Sequence, residues 1–371
     1  LKTASIEEAK IKARDEYYKA EARVQTGLPL QAPRFTKTAT EYISWLKNEL
    51  KKGRTTKNKY ETHRAIIESL LIPYFEDTYL HQINTKAVER YQDQRTQIGA
   101  TGKGKAVKGS TLNRDASILN AIFTFAIRED YIKEAPLMPK HHHFAQRASF
   151  TRGEMKKLQR KLDEWVEAVI PTEAPHVRDY RELFRLYVLI ITYSGIRPGE
   201  EMSSIHWKDL SYKTVKGKDY VKLSVITSKN KKGQKLPRGV IALPQLKKHI
   251  ESFKKIEHLY SPDNYIFIHP KSTQLNKSFI GKPIKTFKKQ WEAFLTAYDL
   301  RYEELPPHRP RQLYSCRHYY FEQRMLNSDV SLHALAINGG TSIQVIEKWY
   351  AEIHAEQYAE SLSGLIEREN S

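Results

Sequence analysis

Four residues in the second half of the chain have types and an order that suit one reaction. Arg197 lies in Tyr193-Ser194-Gly195-Ile196-Arg197-Pro198-Gly199-Glu200, and Lys229 lies in Thr227-Ser228-Lys229-Asn230. Arg317 lies in Tyr314-Ser315-Cys316-Arg317-His318, and Tyr350 in Ile346-Glu347-Lys348-Trp349-Tyr350. Two arginines, a lysine and a tyrosine can break a phosphodiester without metal or ATP. The guanidiniums neutralise the non-bridging oxygens, the ammonium protonates the leaving oxygen, and the phenol attacks phosphorus. A phenol with a pKa near 10 is only about one-thousandth ionised at pH 7, a deficit of roughly 4 kcal/mol. One close charge pair at an effective dielectric near 20 is worth about 4 kcal/mol, so two converging guanidiniums offset much of that deficit.

The context of each residue decides how much weight it carries. A strongly apolar stretch, 183–194, predicts a buried helix that Gly195 ends, which puts Arg197 at a helix end. Glu200 and Glu201 open the next helix, where carboxylates suit the dipole, and Glu200 is placed to hold Arg197. Val221, Leu223 and Val225 alternate with polar residues and predict a strand over 220–227, with a returning strand over 240–243. The tip between them carries Lys229, Lys231 and Lys232, which equally reads as a phosphate-gripping hairpin. Tyr314 and Arg317 share a helix face. Tyr350 is one of 22 tyrosines; it follows a helical segment, and Tyr358 is its nearest rival.

The order and local wording of these boxes resemble the tyrosine recombinases, the phage integrase family, from about Phe35 to the C-terminus. The resemblance implies that Arg197, Lys229, Arg317 and Tyr350 are catalytic, with Lys231 and Lys232 the fallback for Lys229. Family members have His where Tyr314 stands, and His or Trp where Thr341 stands. Tyr314 and Thr341 are therefore carried as candidate site residues in altered form. Tyr314 is expected to donate a hydrogen bond to phosphate rather than act as a base, since a phenol stays protonated at pH 7. The expected fold is mainly α with a small antiparallel β-sheet: an α-helical core-binding domain plus a catalytic domain, forming a C-shaped DNA clamp.

The elements that must position these residues follow from hydrophobic spacing. Residues 1–33 read as an N-terminal helix and linker, opened by the capping-box wording Ser5-Ile6-Glu7-Glu8. In integrases such a segment often joins an arm-site DNA-binding domain to the rest; a packing helix without a DNA role fits equally. Residues 34–139 read as a SAM-like helical core-binding domain, with helices over 38–51, 57–75, 85–97 and 111–127. Tyr42, Leu46, Ile66, Leu70, Val88, Tyr91, Leu119, Ile122 and Phe123 are candidate core residues. The connections are basic: Lys51, Lys52, Arg54, Lys57 and Lys59 in one, Lys103, Lys105 and Lys108 in another. These are the candidate DNA-binding residues, although a bundle of this size is also a common protein–protein module. Residues 140–150 form a linker with His141, His142 and His143. A linker lying along phosphates is the better reading than a metal site, because adjacent histidines in an extended chain alternate sides and no Cys or Asp cluster accompanies them. Residues 151–371 form the catalytic domain, opened by a second capping box at Thr151-Arg152-Gly153-Glu154. Its tail, 351–371, carries Ile353, Tyr358, Leu362 and Leu365 at helical spacing, to pack on a neighbouring protomer or on its own domain.

Composition agrees with a polyanionic partner. Lys and Arg number 62 against 43 Asp and Glu, for a net charge of +19, and the pI is near 9.6. Such charge supplies affinity for phosphates without sequence information, and a basic soluble enzyme would show it too. No apolar run approaches the ~20 residues that span a bilayer. No signal peptide is visible, and the single cysteine, Cys316, rules out an internal disulfide and fits a reducing compartment. No cofactor or metal is required by the chemistry. The resemblance further implies a cytoplasmic, nucleoid-associated enzyme of a mobile genetic element. It would work as a homotetramer on double-stranded attachment sites, with accessory DNA-bending or directionality proteins and a 3′-phosphotyrosine intermediate. A type IB topoisomerase shares this chemistry as a monomer. A DNA-binding protein with a decayed site is the non-enzymatic alternative.

Overall fold

In the computed structural model the chain divides into two compact units, Leu1–Ala145 and Gln146–Ser371. The structure describes residues 5–98, 107–141, 148–168, 175–227, 236–270, 280–304, 306–326 and 330–350.

The first unit is all helical. Helix α1 (Ile6–Gln25) begins at Ser5, whose hydroxyl accepts from the Glu8 N–H at 3.4 Å. Near its end Arg23 donates to the carbonyls of Pro29 and Tyr131, each at 3.0 Å, which ties α1 to the bundle. Helix α2 (Phe35–Lys51) buries Phe35, Thr38, Ala39, Tyr42 and Leu46 on one stripe. The expected helix over 57–75 is unbroken but carries a π-helical turn (Ile67–Leu71) between α3 (Lys57–Ile66) and α4 (Ile72–Phe75). Pro73 explains the widened turn. It has no N–H for a bond to residue 69, and its ring clashes with that carbonyl, so the helix widens ahead of it. Helices α5 (Thr85–Ile98) and α6 (Gly109–Arg128) complete the core, with Val88, Tyr91, Leu119, Ile122 and Phe123 all buried. His141 belongs to this unit. Its N–H donates to Asn113 Oδ1 (2.9 Å), its carbonyl accepts from Asn113 Nδ2 (2.8 Å), and its ring bonds Gln92 (3.1 Å). His142 and His143 lie outside the described residues.

The second unit is built around α8 (Pro175–Ser194). Leu183, Phe184, Leu186, Tyr187, Val188, Leu189, Ile190 and Ile191 are all buried, so the second half of this helix is apolar on every side and other elements pack around it. Helix α7 (Arg152–Glu167) carries the expected capping box in full: Thr151 Oγ1 accepts from Glu154 N–H (3.2 Å), and Glu154 Oε2 accepts from Thr151 N–H (2.8 Å). A short helix α9 (Glu200–Ser203) leads to a sheet of three antiparallel strands rather than a two-stranded hairpin. These are β1 (Leu210–Val215), β2 (Lys218–Thr227) and β3 (Leu236–Ile241), in that order. Strand β1 has no clean alternation, because most of it is exposed at the sheet edge. Helices α10 (Gln245–Lys254) and α11 (Lys288–Ala297) cover the core. Helices α12 (Leu313–Leu326), α13 (Leu332–Gly339) and α14 (Ile343–Tyr350) close the unit. Helix α14 docks through Ile346, fully buried in a small cluster with Tyr320, Phe321, Leu335 and Ala336. Among the described residues no helix is long and apolar enough to cross a membrane.

Candidate active site

Arg197 sits on the turn between α8 and α9. Gly195 ends α8 at φ +66°, and its Cβ position is filled by the Tyr320 ring, so neither the conformation nor the space admits a side chain. The Gly199 N–H donates to Tyr187 Oη (2.8 Å), which fastens the Pro198-Gly199 turn to the buried helix. Burial pushes the Tyr187 phenol up to about 12, so it remains a donor-acceptor and never a charge.

The carboxylate that holds Arg197 is Glu201, not Glu200. Arg197 Nη1 donates to Glu201 Oε1 (2.6 Å) and the Arg197 N–H to Oε2 (3.2 Å). Glu200 is exposed, whereas the turn brings Glu201 inward to 5% side-chain exposure. Glu201 Oε2 also accepts from Arg238 Nη2 (2.7 Å). Arg238 stands on β3 opposite Val225, on the inward face of the sheet, and its side chain is 14% exposed. The lysines between the two strands are the more conspicuous signal in the sequence and draw attention away from it. The signal available was period two: Arg238 alternates in step with buried Val240.

Arg317 is fully buried on α12. Its Nη1 donates to the Gly195 carbonyl (2.5 Å) and Nη2 to the Gly339 carbonyl (3.0 Å), and its guanidinium lies 4.9 Å from the Phe321 ring centre. Next to it, Arg197 Nη2 donates to the Gly340 carbonyl and Arg238 Nη1 to the Asn338 carbonyl. Three arginines from three separate elements therefore rest on three consecutive carbonyls at the C-terminus of α13. That end of a helix carries unsatisfied oxygens and negative partial charge, so cations are its natural caps. The Asn338 side chain stitches the same turn to the Ser194 and Ile241 carbonyls (3.3 and 3.1 Å) and to Tyr320 Oη (3.0 Å).

Tyr314 lies on α12, its ring centre 5.7 Å from the Arg317 guanidinium and 5.4 Å from the His318 ring. It lines an open cavity with Pro198 and Gly199, the residues after Arg197. Thr341 follows Gly340 directly, and its N–H donates to the Ala336 carbonyl (2.9 Å). Tyr350 is the last described residue, one helical turn beyond Ile346. Lys229, Lys231 and Lys232 lie outside the described residues, in the segment joining Thr227 to Leu236. So do Lys103, Lys105 and the tail 351–371. Lys51, Lys52, Arg54, Lys57 and Lys59 are exposed at the α2–α3 connection, and Lys108 is exposed ahead of α6. Cys316 is fully buried, and burial drives its thiol up to about 12, so it packs rather than reacts. Among the described residues no group of three His, Cys, Asp or Glu is placed to hold a metal. What the arrangement offers is a cluster of three guanidiniums held by the Glu201 carboxylate and by four peptide carbonyls. An anion arriving there competes with Glu201 as well as with the partial charges of those carbonyls.

Comparison with known proteins agrees with this architecture. The phage integrase SAM-like domain matches residues 34–143. No curated protein matches. Among solved structures, the Tn1549 transposon integrase in complex with circular intermediate DNA superposes with a TM-score of 0.61 at 13% identity, covering 89% of this chain and 99% of that one. XerH site-specific recombinase bound to difH substrate gives 0.55 at 17% identity, covering 96% and 94%. A lambda integrase dimer bound to a COC′ core site gives 0.54 at 18% identity, covering 82% and 96%. The chain accordingly carries a phage integrase SAM-like domain at 34–143 and, over most of its length, shares the fold of the solved transposon integrase and XerH recombinase.

Proposed function

We propose that the protein is a site-specific DNA recombinase, an integrase that cuts and rejoins DNA through a 3′-phosphotyrosine. The observation that carries the reading is the convergence of Arg197, Arg238 and Arg317 on one helix end, with Arg197 and Arg238 sharing a single carboxylate. Protein interiors rarely leave guanidinium charge under-compensated unless an anion is to be bound. The relatives of this fold are solved with DNA, which makes a phosphodiester the fitting anion.

In this reading Tyr350 Oη attacks phosphorus as its phenolic proton passes to water, the bond to the 5′ oxygen breaks, and Lys229 gives that oxygen its proton. Arg197 and Arg317 hold the non-bridging oxygens as their charge grows, the largest expected contribution. Tyr314 donates a further hydrogen bond, and Thr341 stands in the accessory position. The phosphotyrosine conserves the bond energy, so rejoining needs no cofactor. Lys51, Lys52, Arg54, Lys57, Lys59, Lys103, Lys105, Lys108, Lys231 and Lys232 bind the DNA backbone. The working form is a homotetramer on two attachment sites, joined by accessory bending or directionality proteins, in the cytoplasm at the nucleoid.

The test is covalent trapping. The protein is incubated in EDTA with nicked duplexes drawn from the DNA flanking its gene and from a random library. Denaturing gels and peptide mapping then follow. The expected result is a protein–DNA adduct on the Tyr350 peptide that Tyr350→Phe abolishes. An adduct that survives Tyr350→Phe overturns the nucleophile, and no adduct with any duplex overturns the enzyme. Relaxation of supercoils by a monomer, without exchange between paired sites, would indicate a topoisomerase instead.

A further inference from the structure

We propose that Arg238 is a positioning residue of this site: it orients Arg197 through Glu201 and fixes the Asn338–Gly340 turn against which Arg197 and Arg317 lie, without itself touching the DNA. The inference rests on the phosphodiester reading above.

Three features of Arg238 point this way. Its two terminal nitrogens are both committed, Nη2 to Glu201 Oε2 at 2.7 Å and Nη1 to the Asn338 carbonyl. Its Nε is buried with no hydrogen-bond partner among the described residues. Both of its terminal bonds lead to the carboxylate and the turn against which Arg197 and Arg317 lie. The guanidinium also lies over Gly340: a Cβ built there would stand 2.5 Å from Nε and 2.9 Å from Cζ. Gly340 is left-handed, at φ +62°, and its carbonyl is the oxygen that receives Arg197. Arg238 thus meets Arg197 by two routes, one through the carboxylate and one through the peptide.

The electrostatics supply a reason for the arrangement. Burial and the nearby charges of Arg197 and Arg317 pull the Arg238 pKa below its ordinary value, while Glu201 pulls it up. Glu201 facing Arg197 alone would neutralise the cation meant for phosphate. With Arg238 on its other oxygen, Glu201 is shared, and Arg197 keeps part of its charge for a ligand while its geometry stays fixed.

The experiment compares wild type, Arg238→Lys, Arg238→Gln, Glu201→Gln and the Arg238→Gln/Glu201→Gln double variant. Cleavage of a nicked duplex is followed under single-turnover conditions at saturating protein, with DNA Kd and Tm measured on the same preparations. Arg238→Gln should slow cleavage about 10- to 100-fold, the cost of a small misplacement of a catalytic group. DNA Kd should stay within about threefold, since phosphate contacts elsewhere supply most affinity. Arg238→Lys should recover part of the rate, and the double variant should be little slower than Glu201→Gln alone. A wild-type rate in Arg238→Gln, or strictly additive losses in the double variant, overturns the inference. A loss confined to Kd would show that Arg238 touches DNA and overturns it too. A second readout does not depend on catalysis: NMR of 15N-arginine-labelled protein should show hindered rotation of the Arg197 guanidinium, freed in Arg238→Lys and Arg238→Gln. Unchanged Arg197 order in both variants sinks the positioning role, whereas a wild type that cleaves no DNA sinks only the functional reading.

Discussion

Both units bury an arginine against a carboxylate, and they use the pair in opposite ways. In the first unit Arg95 of α5 meets Asp115 of α6 at 3.3 Å, with Tyr91 Oη also donating to Asp115 at 3.3 Å. Arg95 and Asp115 are 8% and 0% exposed, and the other nearby cation, Arg114, is 54% exposed and solvated. That pair ties two helices together through Asp115 Oδ2, while Oδ1 has no hydrogen-bond partner among the described residues. In the second unit Glu201 faces two guanidiniums that are both mostly buried, and the surplus charge rests on the carbonyls of α13. Peptide oxygens hold a cation in place without cancelling it. On the proposed reading, the difference separates a charge buried for packing from a charge buried for a ligand, and it does so by counting carboxylates rather than by counting arginines.

Substituting one arginine in each unit is the strongest way to break this contrast. Arg95→Ala strands Asp115 in the core and should cost about 3–5 kcal/mol of stability, the usual penalty for removing one partner of a buried pair. Cleavage per folded molecule should not change. Arg197→Ala should do the reverse: Tm moves by a few degrees, while single-turnover cleavage falls about 10²–10³-fold, as when one pre-organised donor to a transition-state oxyanion is lost. Chemical denaturation and cleavage kinetics on both variants check this. If Arg197→Ala unfolds the protein and leaves the rate of the folded fraction intact, the two units do not differ as argued.

Tyr314 sharpens the same point at smaller magnitude. Its ring stands beside Arg317, where a hydroxyl donor would reinforce the guanidinium. A hydrogen bond to a charged acceptor is worth about 1.5–3 kcal/mol, or roughly 10- to 150-fold in rate if made mainly in the transition state. Tyr314→Phe should slow cleavage within that range and leave DNA affinity nearly unchanged. Equal single-turnover rates would reassign Tyr314 to packing, alongside Tyr91 in the first unit.

Gly340 is the next lever. Alanine there must adopt φ +62° and push its methyl into the Arg238 guanidinium. The strain should cost about 1–2 kcal/mol. Cleavage should fall along with stability, because the displaced carbonyl is the one that carries Arg197. A stable Gly340→Ala protein with full activity would mean that the turn does not set the arginines.

What the sequence made legible follows from how local each signal is. The apolar run of α8 stopped by Gly195 is local, and so are the Ser5 N-cap of α1, the capping box of α7 and the amphipathic stripes of α2 and α6. Each was readable from spacing alone. The π-turn inside the helix over 57–75 was not legible because Pro73 acts on the carbonyl four residues back, and hydrophobic spacing runs through it undisturbed. Strand β1 was missed because an exposed edge strand has no alternation to display. Glu201 and Arg238 were missed for a different reason: their roles arise from a turn and a strand register that meet only in three dimensions. Glu200 and Glu201 are equivalent in composition, and the turn at Pro198-Gly199 chooses between them.

The smallest expected effect is a divergence in pH dependence, and it follows from the same contrast within the supporting pairs. Burial raises the Asp115 pKa, and Arg95, Arg114 and Tyr91 only partly offset it. Its folded pKa therefore lies above the unfolded 3.8. Proton uptake then favours the native first unit, an effect fully present below about 3.8 and lost as pH rises through the folded pKa. Glu154, the capping residue of α7, is buried too, but its bonds from the Thr151 N–H and from Arg311 outweigh burial and bring its pKa below the ordinary 4.5. Its contribution is fully present above 4.5 and lost as pH falls through the folded value. Acidification below about pH 4.5 should therefore loosen the second unit at α7 while the α5–α6 pair of the first unit tightens relative to neutral pH. Hydrogen exchange corrected for intrinsic rates should show protection of α7 falling and that of α5 and α6 holding or rising. Each single group contributes at most about 1.4 kcal/mol per pH unit. Glu154→Gln should flatten the acid slope of the second unit alone, and Asp115→Asn that of the first alone. Parallel loss of protection in both units, unchanged by either substitution, would show that these two buried pairs are electrostatically alike. The contrast between the units would then rest on Glu201 and its two arginines only.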